Sequence, residues 1–169
     1  MFIPDGISVE LTGESIRVKG PLGTLEKRFN SRLLKVEQKG NEVIVSSDKK
    51  LTREVLSSVK TTEAHIRNMF EGVQKGYEKK LVCIFAHFPV SLEVKGSELL
   101  IKNFLGERVP RKAKIMDGVK VEAKGSELIV SGPGKEDVGQ TARNIINATK
   151  VKGRDQRIFQ DGIYLVETG

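Results

Sequence analysis

The sequence predicts an α+β protein of two duplicated domains, each a small, mostly antiparallel β-sheet with one amphipathic helix packed on it. Three observations predict this. The chain matches itself in two blocks, at offsets of 83 and 85 residues. The matching blocks alternate apolar and polar residues around glycine-containing turns. Each half then runs into a stretch with the 3.6-residue period of a helix.

The first block pairs Ile7-Ser-Val-Glu-Leu-Thr-Gly13 with Val90-Ser-Leu-Glu-Val-Lys-Gly96 and continues without a gap through Ile16/Leu99, Val18/Ile101, Lys19/Lys102, Leu22/Leu105 and Gly23/Gly106. Alternation sends one set of these side chains to a core and the other to water. Gly13-Glu14 and Gly96-Ser97 interrupt the alternation and read as hairpin turns. The second block pairs Val36-Glu-Gln-Lys-Gly-Asn-Glu-Val-Ile-Val-Ser46 with Val121-Glu-Ala-Lys-Gly-Ser-Glu-Leu-Ile-Val-Ser131, identical at eight of eleven positions. Lys39-Gly40-Asn41 and Lys124-Gly125-Ser126 are its turns. Each half therefore offers at least two hairpins before its helix.

In the first helix Val55, Val59, Thr62, Ile66, Met69, Phe70 and Val73 form one stripe. Gly72 and Gly76 are expected to end it, with Lys75, Lys79 and Lys80 near its negative C-terminal end. In the second, Val138, Ala142, Ile145, Ile146 and Thr149 form the stripe, and Gln140, Arg143, Asn144 and Asn147 the opposite face. The domains are expected to span residues 1–79 and 80–169, with the boundary near Tyr77 to Leu81. No Pro/Ser linker separates them, which suggests a fixed relation.

Composition narrows the function classes. The 169 residues carry 29 Lys+Arg against 22 Asp+Glu, a formal charge of +7, with 38% hydrophobic residues. That is too apolar for a disordered chain. No apolar run approaches the ~18 residues that span a bilayer, so the chain is not read as an integral membrane protein. Met1 to Gly6 has neither the basic start nor the apolar centre of a secretory signal. A single cysteine, Cys83, forms no internal disulfide or thiolate cage and points to a reducing, intracellular setting. It lies in the apolar run Leu-Val-Cys-Ile-Phe and reads as a buried, unreactive thiol.

Catalytic chemistry finds little support. His65 lies beside the first helix's apolar stripe. His87, in Ala-His-Phe-Pro, has no Cys or Asp partner at a recognisable spacing. Asp117 and Asp161 precede glycines, as turn residues do. Ser131-Gly-Pro-Gly-Lys135 superficially suggests a phosphate loop, but Ile129 stands where the first glycine belongs and Glu136 follows Lys135, so the pattern fails. A helix N-terminus with Lys135 could still hold one phosphate. No cofactor, metal or catalytic residue is expected.

Positive charge clusters. Window 108–120 is net +4 through Arg108, Arg111, Lys112, Lys114 and Lys120, and window 143–157 is net +4 through Arg143, Lys150, Lys152, Arg154 and Arg157. Such segregation fits segments facing phosphates. Window 17–35 of the first half reaches +5; its role is left open between RNA, protein and water.

Several motifs carry a family resemblance. Phe85-Ala-His-Phe-Pro89, Asn103-Phe-Leu-Gly-Glu107, Asn68-Met-Phe-Glu-Gly-Val73 with Gly76-Tyr77, Val138-Gly-Gln140 and the tail Arg154-Asp-Gln-Arg-Ile-Phe-Gln-Asp-Gly-Ile-Tyr164 resemble the L-six family of large-subunit ribosomal proteins (L-nine in eukaryotes). The likeness runs from Pro4 to Gly169. The tail resembles the archaeal and eukaryotic branch, and the compact ends suggest an archaeal source. The resemblance implies a duplicated α+β fold and a structural, non-enzymatic role in the cytoplasmic ribosome. It also implies binding to large-subunit rRNA, chiefly through the C-terminal domain and tail, beside neighbouring ribosomal proteins. The implied place is near the sarcin–ricin loop, where translational GTPases dock transiently, with no membrane partner.

The residues expected to bind RNA are Arg108, Arg111, Lys112 and Lys114 from one loop, Lys135, Gln140 and Arg143 from the exposed helix side, and Lys150, Lys152, Arg154 and Arg157 from an extended tail entering a groove. Such side chains suffice for A-form RNA, which is read through shape, phosphates and 2′-hydroxyls. With aromatics at 5%, a base-stacking platform is not expected. Phe159 and Tyr164 are expected to anchor the tail on its own domain, and Asp161-Gly162 to turn it back as a strand. A free RNA-binding or protein-interaction module would use the same duplication and patches, and is the alternative.

Overall fold

The structure, a computed structural model, describes residues 1–50, 52–155 and 157–166. The chain forms two compact units, Met1–Gly76 and Tyr77–Gly169.

The first unit opens with three antiparallel strands, β1 (Ser8–Thr12), β2 (Ser15–Gly20) and β3 (Gly23–Arg28), and then a hairpin of β4 (Lys35–Lys39) and β5 (Glu42–Ser46). Helix α1 (Arg53–Lys75) follows. Its N-terminus is capped by Thr52, whose hydroxyl accepts from the Val55 N–H at 3.3 Å. It ends at Gly76, which takes φ 74° and donates to the Gly72 carbonyl. Gly72 therefore lies inside the last turn rather than ending the helix, and Lys79 and Lys80 belong to the next strand. Ile16, Val18, Val43, Ile66, Phe70 and Val73 form the centre of the core.

Gly20 is where sheet meets helix: a Cβ there would lie 2.7 Å from Val73 Cγ2. The Leu22 N–H also donates to the Val73 carbonyl at 3.1 Å, which fixes the approach. Gly20→Ala should therefore cost this unit about 1–3 kcal/mol, the usual range for overpacking. A fall in the denaturant midpoint checks it.

The second unit repeats the plan and adds to it. Strands β7 (Ser91–Lys95), β8 (Glu98–Lys102) and β9 (Arg111–Lys114) form one antiparallel sheet, with a single 3₁₀ turn at Phe104–Gly106 between the last two. The hairpin β10 (Lys120–Lys124) and β11 (Glu127–Gly132) precedes helix α2 (Lys135–Ala148). Around that hairpin, β6 (Tyr77–Ile84) and β12 (Gly162–Leu165) complete a sheet of order β10-β11-β6-β12. The units divide between Gly76 and Tyr77, because residues 77–79 already belong to β6, where Tyr77 pairs with Gly132 and Lys79 with Val130.

The repeat extends further than the sequence match. In the first unit the Ile3 N–H donates to the Asn41 carbonyl, as the Cys83 N–H does to the Ser126 carbonyl in the second. Residues 1–3 thus occupy the place of the end of β6. The second core gathers Leu81, Leu99, Ile101, Phe104, Leu128 and Ile145. Among the described residues, no helix is long and apolar enough to cross a membrane, and no group of three His, Cys, Asp or Glu could hold a metal ion.

Candidate nucleic-acid interface

The cationic side chains of the second unit fall into two kinds, those committed to the protein itself and those left facing water. Arg111, at the start of β9, is the most committed. Its Nε and Nη2 donate to the two Glu107 carboxylate oxygens at 2.8 and 2.6 Å. Its Nη1 donates to the carbonyls of Ala148 at 3.0 Å and Lys150 at 3.3 Å. The guanidinium also lies 4.5 Å from the centroid of the buried Phe104 ring. All of this suits the planar fork of arginine. The arrangement clasps the loop before β9 to the C-terminal end of α2, whose carbonyls lack helical partners.

The clasp joins the two basic windows of the sequence. Hydrogen bonds from Arg111 hold the Glu107 carboxyl below the usual carboxylate range, against an opposing effect of burial; the charges of Arg111 and then Arg154 lower it further. The same pair pushes the Arg111 guanidinium up. Arg154 is thus close enough to be felt at Glu107, although 47 positions separate them in the chain.

A second tie joins α2 to the edge of the β7-β8-β9 sheet. Gln140 donates to the Asn144 Oδ1 at 2.8 Å, and Asn144 Nδ2 donates to the Lys114 carbonyl at 3.0 Å. Deeper along the same edge, the Met116 N–H donates to the buried Thr141 hydroxyl at 3.1 Å. These bonds hold the end of β9 to α2, and Lys112 and Lys114 are exposed on that strand, alternating with the buried Ala113. Lys112 pairs with Glu98 at 3.3 Å, an exposed and therefore weak contact.

The start of α2 is differently occupied. Lys135 lies 5.5 Å from the Tyr77 ring centroid. Glu136 and Asp137 stand in the first turn, and the Asp137 carboxylate packs against Gly134 at the cap position. The helix therefore brings its own negative charge to its positive end, leaving a poor phosphate seat there.

The expected tail is a connection. After α2 the chain comes back to β12, whose Ile163 pairs with Cys83. Ile163, at 1% exposure, and not Phe159 or Tyr164, anchors it. The Ile163 N–H donates to the Thr149 hydroxyl at 3.0 Å. Phe159 and Tyr164 stay 36% and 44% exposed. Arg154 covers the Phe159 ring at 5.0 Å. Lys150, Lys152, Arg154 and Arg157 are exposed on this connection, with Arg143 exposed on the adjoining helix face and Arg108 in the clasped loop. Between α2 and the connection runs a groove of about 280 Å³ that includes Arg143, Asn147, Lys150, Phe159 and Tyr164.

Sequence reasoning thus named the exposed cations together with Arg111, Lys135 and Gln140, which the protein itself engages, but missed Glu107 and the groove. Glu107 and Arg111 sit four apart, one in the loop and one at the start of β9, where that spacing carries none of its helical meaning. Cys83 is buried, and burial, then the Asp161 charge, pushes its thiol up, away from the reactive range. In the first unit the basic window includes internally paired cations: Arg17 with Glu26 at 2.9 Å and with Glu10 at 3.7 Å, and Lys35 with Asp48.

Comparison with known proteins accords with this geometry. A family model described as Ribosomal protein L6 matches residues 3–76 and 88–162, one stretch in each unit. The relative from Methanosarcina mazei, named large ribosomal subunit protein uL6, is 46% identical over 98% of this chain and 93% of its own length. The uL6 protein of Methanococcus vannielii is 47% identical over 98% of this chain and 90% of its own. That of Methanothrix thermoacetophila is 43% identical over 98% and 93%. With both units matched and relatives covering nearly the whole chain, the protein belongs to the ribosomal protein L6 family.

Proposed function

We propose that this protein binds large-subunit rRNA through its second unit, using Arg108, Lys112 and Lys114 on one side of the Arg111 clasp and Arg143, Lys150, Lys152, Arg154 and Arg157 on the other. Membership of the family makes it a structural protein of the large ribosomal subunit rather than an enzyme. The clasp carries the finer reading. It holds two cationic segments, distant in sequence, in one place while leaving their other side chains exposed. Folded RNA offers phosphates at fixed spacings, and cations already held in register meet them without a further ordering cost. Lys135 and Gln140, tied to Tyr77 and Asn144, contribute less.

The family resemblance also supports a position near the sarcin–ricin loop, close to docking translational GTPases and beside neighbouring ribosomal proteins. Residues 150–157 connect α2 to β12, so they should be neutralised rather than deleted. Lys152→Gln with Arg157→Gln should lower the slope of log affinity against log salt by about 1.5–2, as loss of two phosphate contacts does. An unchanged slope would remove these residues from the interface. A directed cleavage probe at residue 152 on reconstituted subunits should cut in the sarcin–ricin stem; cuts confined elsewhere would remove that placement.

A further inference from the structure

We propose that the groove between the last two turns of α2 and the connection to β12 takes one unstacked nucleotide of the bound RNA, its base against Tyr164 and Phe159 and its phosphate between Arg143 and Lys150. This rests on the rRNA-binding reading and adds a site to it. Backbone contact alone needs only cations on a convex surface. This surface instead holds a recess of about 280 Å³. It lies at the small end of ligand pockets, roughly 300 Å³ upward, and suits a single ring system rather than a helix.

The lining has the chemistry of nucleotide recognition. Two cations stand on its wall, with the buried Asp161 carboxylate also in its lining, and the exposed Asn147 adds an amide that can both donate to and accept from a base edge. Its aromatic rings are only half-buried, and Ile163 already anchors β12, so packing does not account for them. Each is nevertheless held. The Tyr164 hydroxyl donates to the Gln160 carbonyl at 3.0 Å. The ring lies over Gly162, where a Cβ would come 3.2 Å from it, a tight contact that glycine relieves. Phe159 is covered on one side by Arg154. Fixed aromatic faces beside cations are what unstacked RNA bases stack on.

The test uses the full chain. Titrated with guanosine and adenosine 5′-monophosphates, its amide NMR signals should shift around Asn147, Lys150, Phe159 and Tyr164, and ribose 5-phosphate should produce much smaller shifts. Equal shifts with ribose 5-phosphate would reduce the groove to a phosphate site and overturn the base contact, and so would no shift at all. In rRNA binding, Tyr164→Leu should weaken affinity about 5- to 100-fold, as the loss of one stacked base does, with the salt slope unchanged. Tyr164→Phe should restore most of it. Asn147→Ala, on an exposed helix face, should also weaken binding without unfolding the unit. Wild-type affinity in both Tyr164→Leu and Asn147→Ala would sink the proposal. If the unaltered chain fails to bind rRNA at all, the broader reading fails instead.

Discussion

Glu107→Gln should weaken rRNA binding about tenfold, equivalent to about 1.4 kcal/mol, although it makes the protein more cationic. Simple attraction between charges predicts the opposite sign. The loss follows from the clasp: without the carboxylate, Arg111 keeps its two carbonyl partners but loses the group that holds the loop before β9 against them. The two basic segments then move independently, and binding must order them. Arg111→Lys should fall by a similar factor, because an ammonium keeps the charge and loses the fork. Neither variant should change the salt slope, since Arg111 spends its donors within the protein. Fluorescence anisotropy at several salt concentrations reads all three quantities; tighter binding by Glu107→Gln would show that charge alone matters.

The same pair makes a pH prediction. Glu107 titrates lower in the folded protein than its usual value. Its contribution to stability is therefore fully present above the ordinary glutamate range and is lost as pH falls through the lowered folded value. With the Glu107 side chain 41% exposed, solvent screening limits that contribution to about 0.5–1 kcal/mol. Denaturation of wild type and Glu107→Gln should differ by this amount at neutral pH and converge in acid.

Phe104→Ala should have the largest effect on stability, about 3–5 kcal/mol, the range for a fully buried phenylalanine. Phe104 is 1% exposed, between two residues with left-handed backbone, Asn103 at φ 59° and Leu105 at φ 51°. Outside glycine and asparagine that conformation is costly. Burial of the ring, with the Asn103 side chain donating to the Pro89 carbonyl at 3.1 Å, holds the turn there. Removing the ring leaves a cavity, frees the strained turn and strips the aromatic face from Arg111. Chemical denaturation measures the first effect and rRNA affinity the last. A loss below about 1 kcal/mol would mean that the site collapses around the gap.

Much of the fold was legible because it is local. The offsets paired strand with strand, and Gly40, Gly96 and Gly125 do take the positive φ that their hairpin turns require. The stripe on α2 is buried at Val138, Ala142 and Ile145. What escaped was non-local. Nothing in residues 1–3 marks them as the counterpart of a strand end, because the edge that accepts them lies some 40 residues on. The chain does return as a strand after Asp161, as the sequence led one to expect, but its partner β6 lies far back in the sequence, so the pairing itself was not legible. Likewise the free cations were visible by composition alone, whereas separating Arg111 from Arg108 required knowing which carbonyls lie within reach.

The order of strands in the four-stranded sheet also bears on biosynthesis. β6 is made early, yet its neighbours β11 and β12 are both made later, and β12 reaches it only after residues 162–165 have been added. The first unit has every partner it needs by Gly76 and can close while translation continues. The second must wait for β11 before β6 has any neighbour, and one edge of β6 stays unpaired until almost all of the unit has emerged. The unit proposed to bind rRNA is therefore the last to mature, and cutting translation short before β12 should leave a finished first half joined to an open edge prone to self-association.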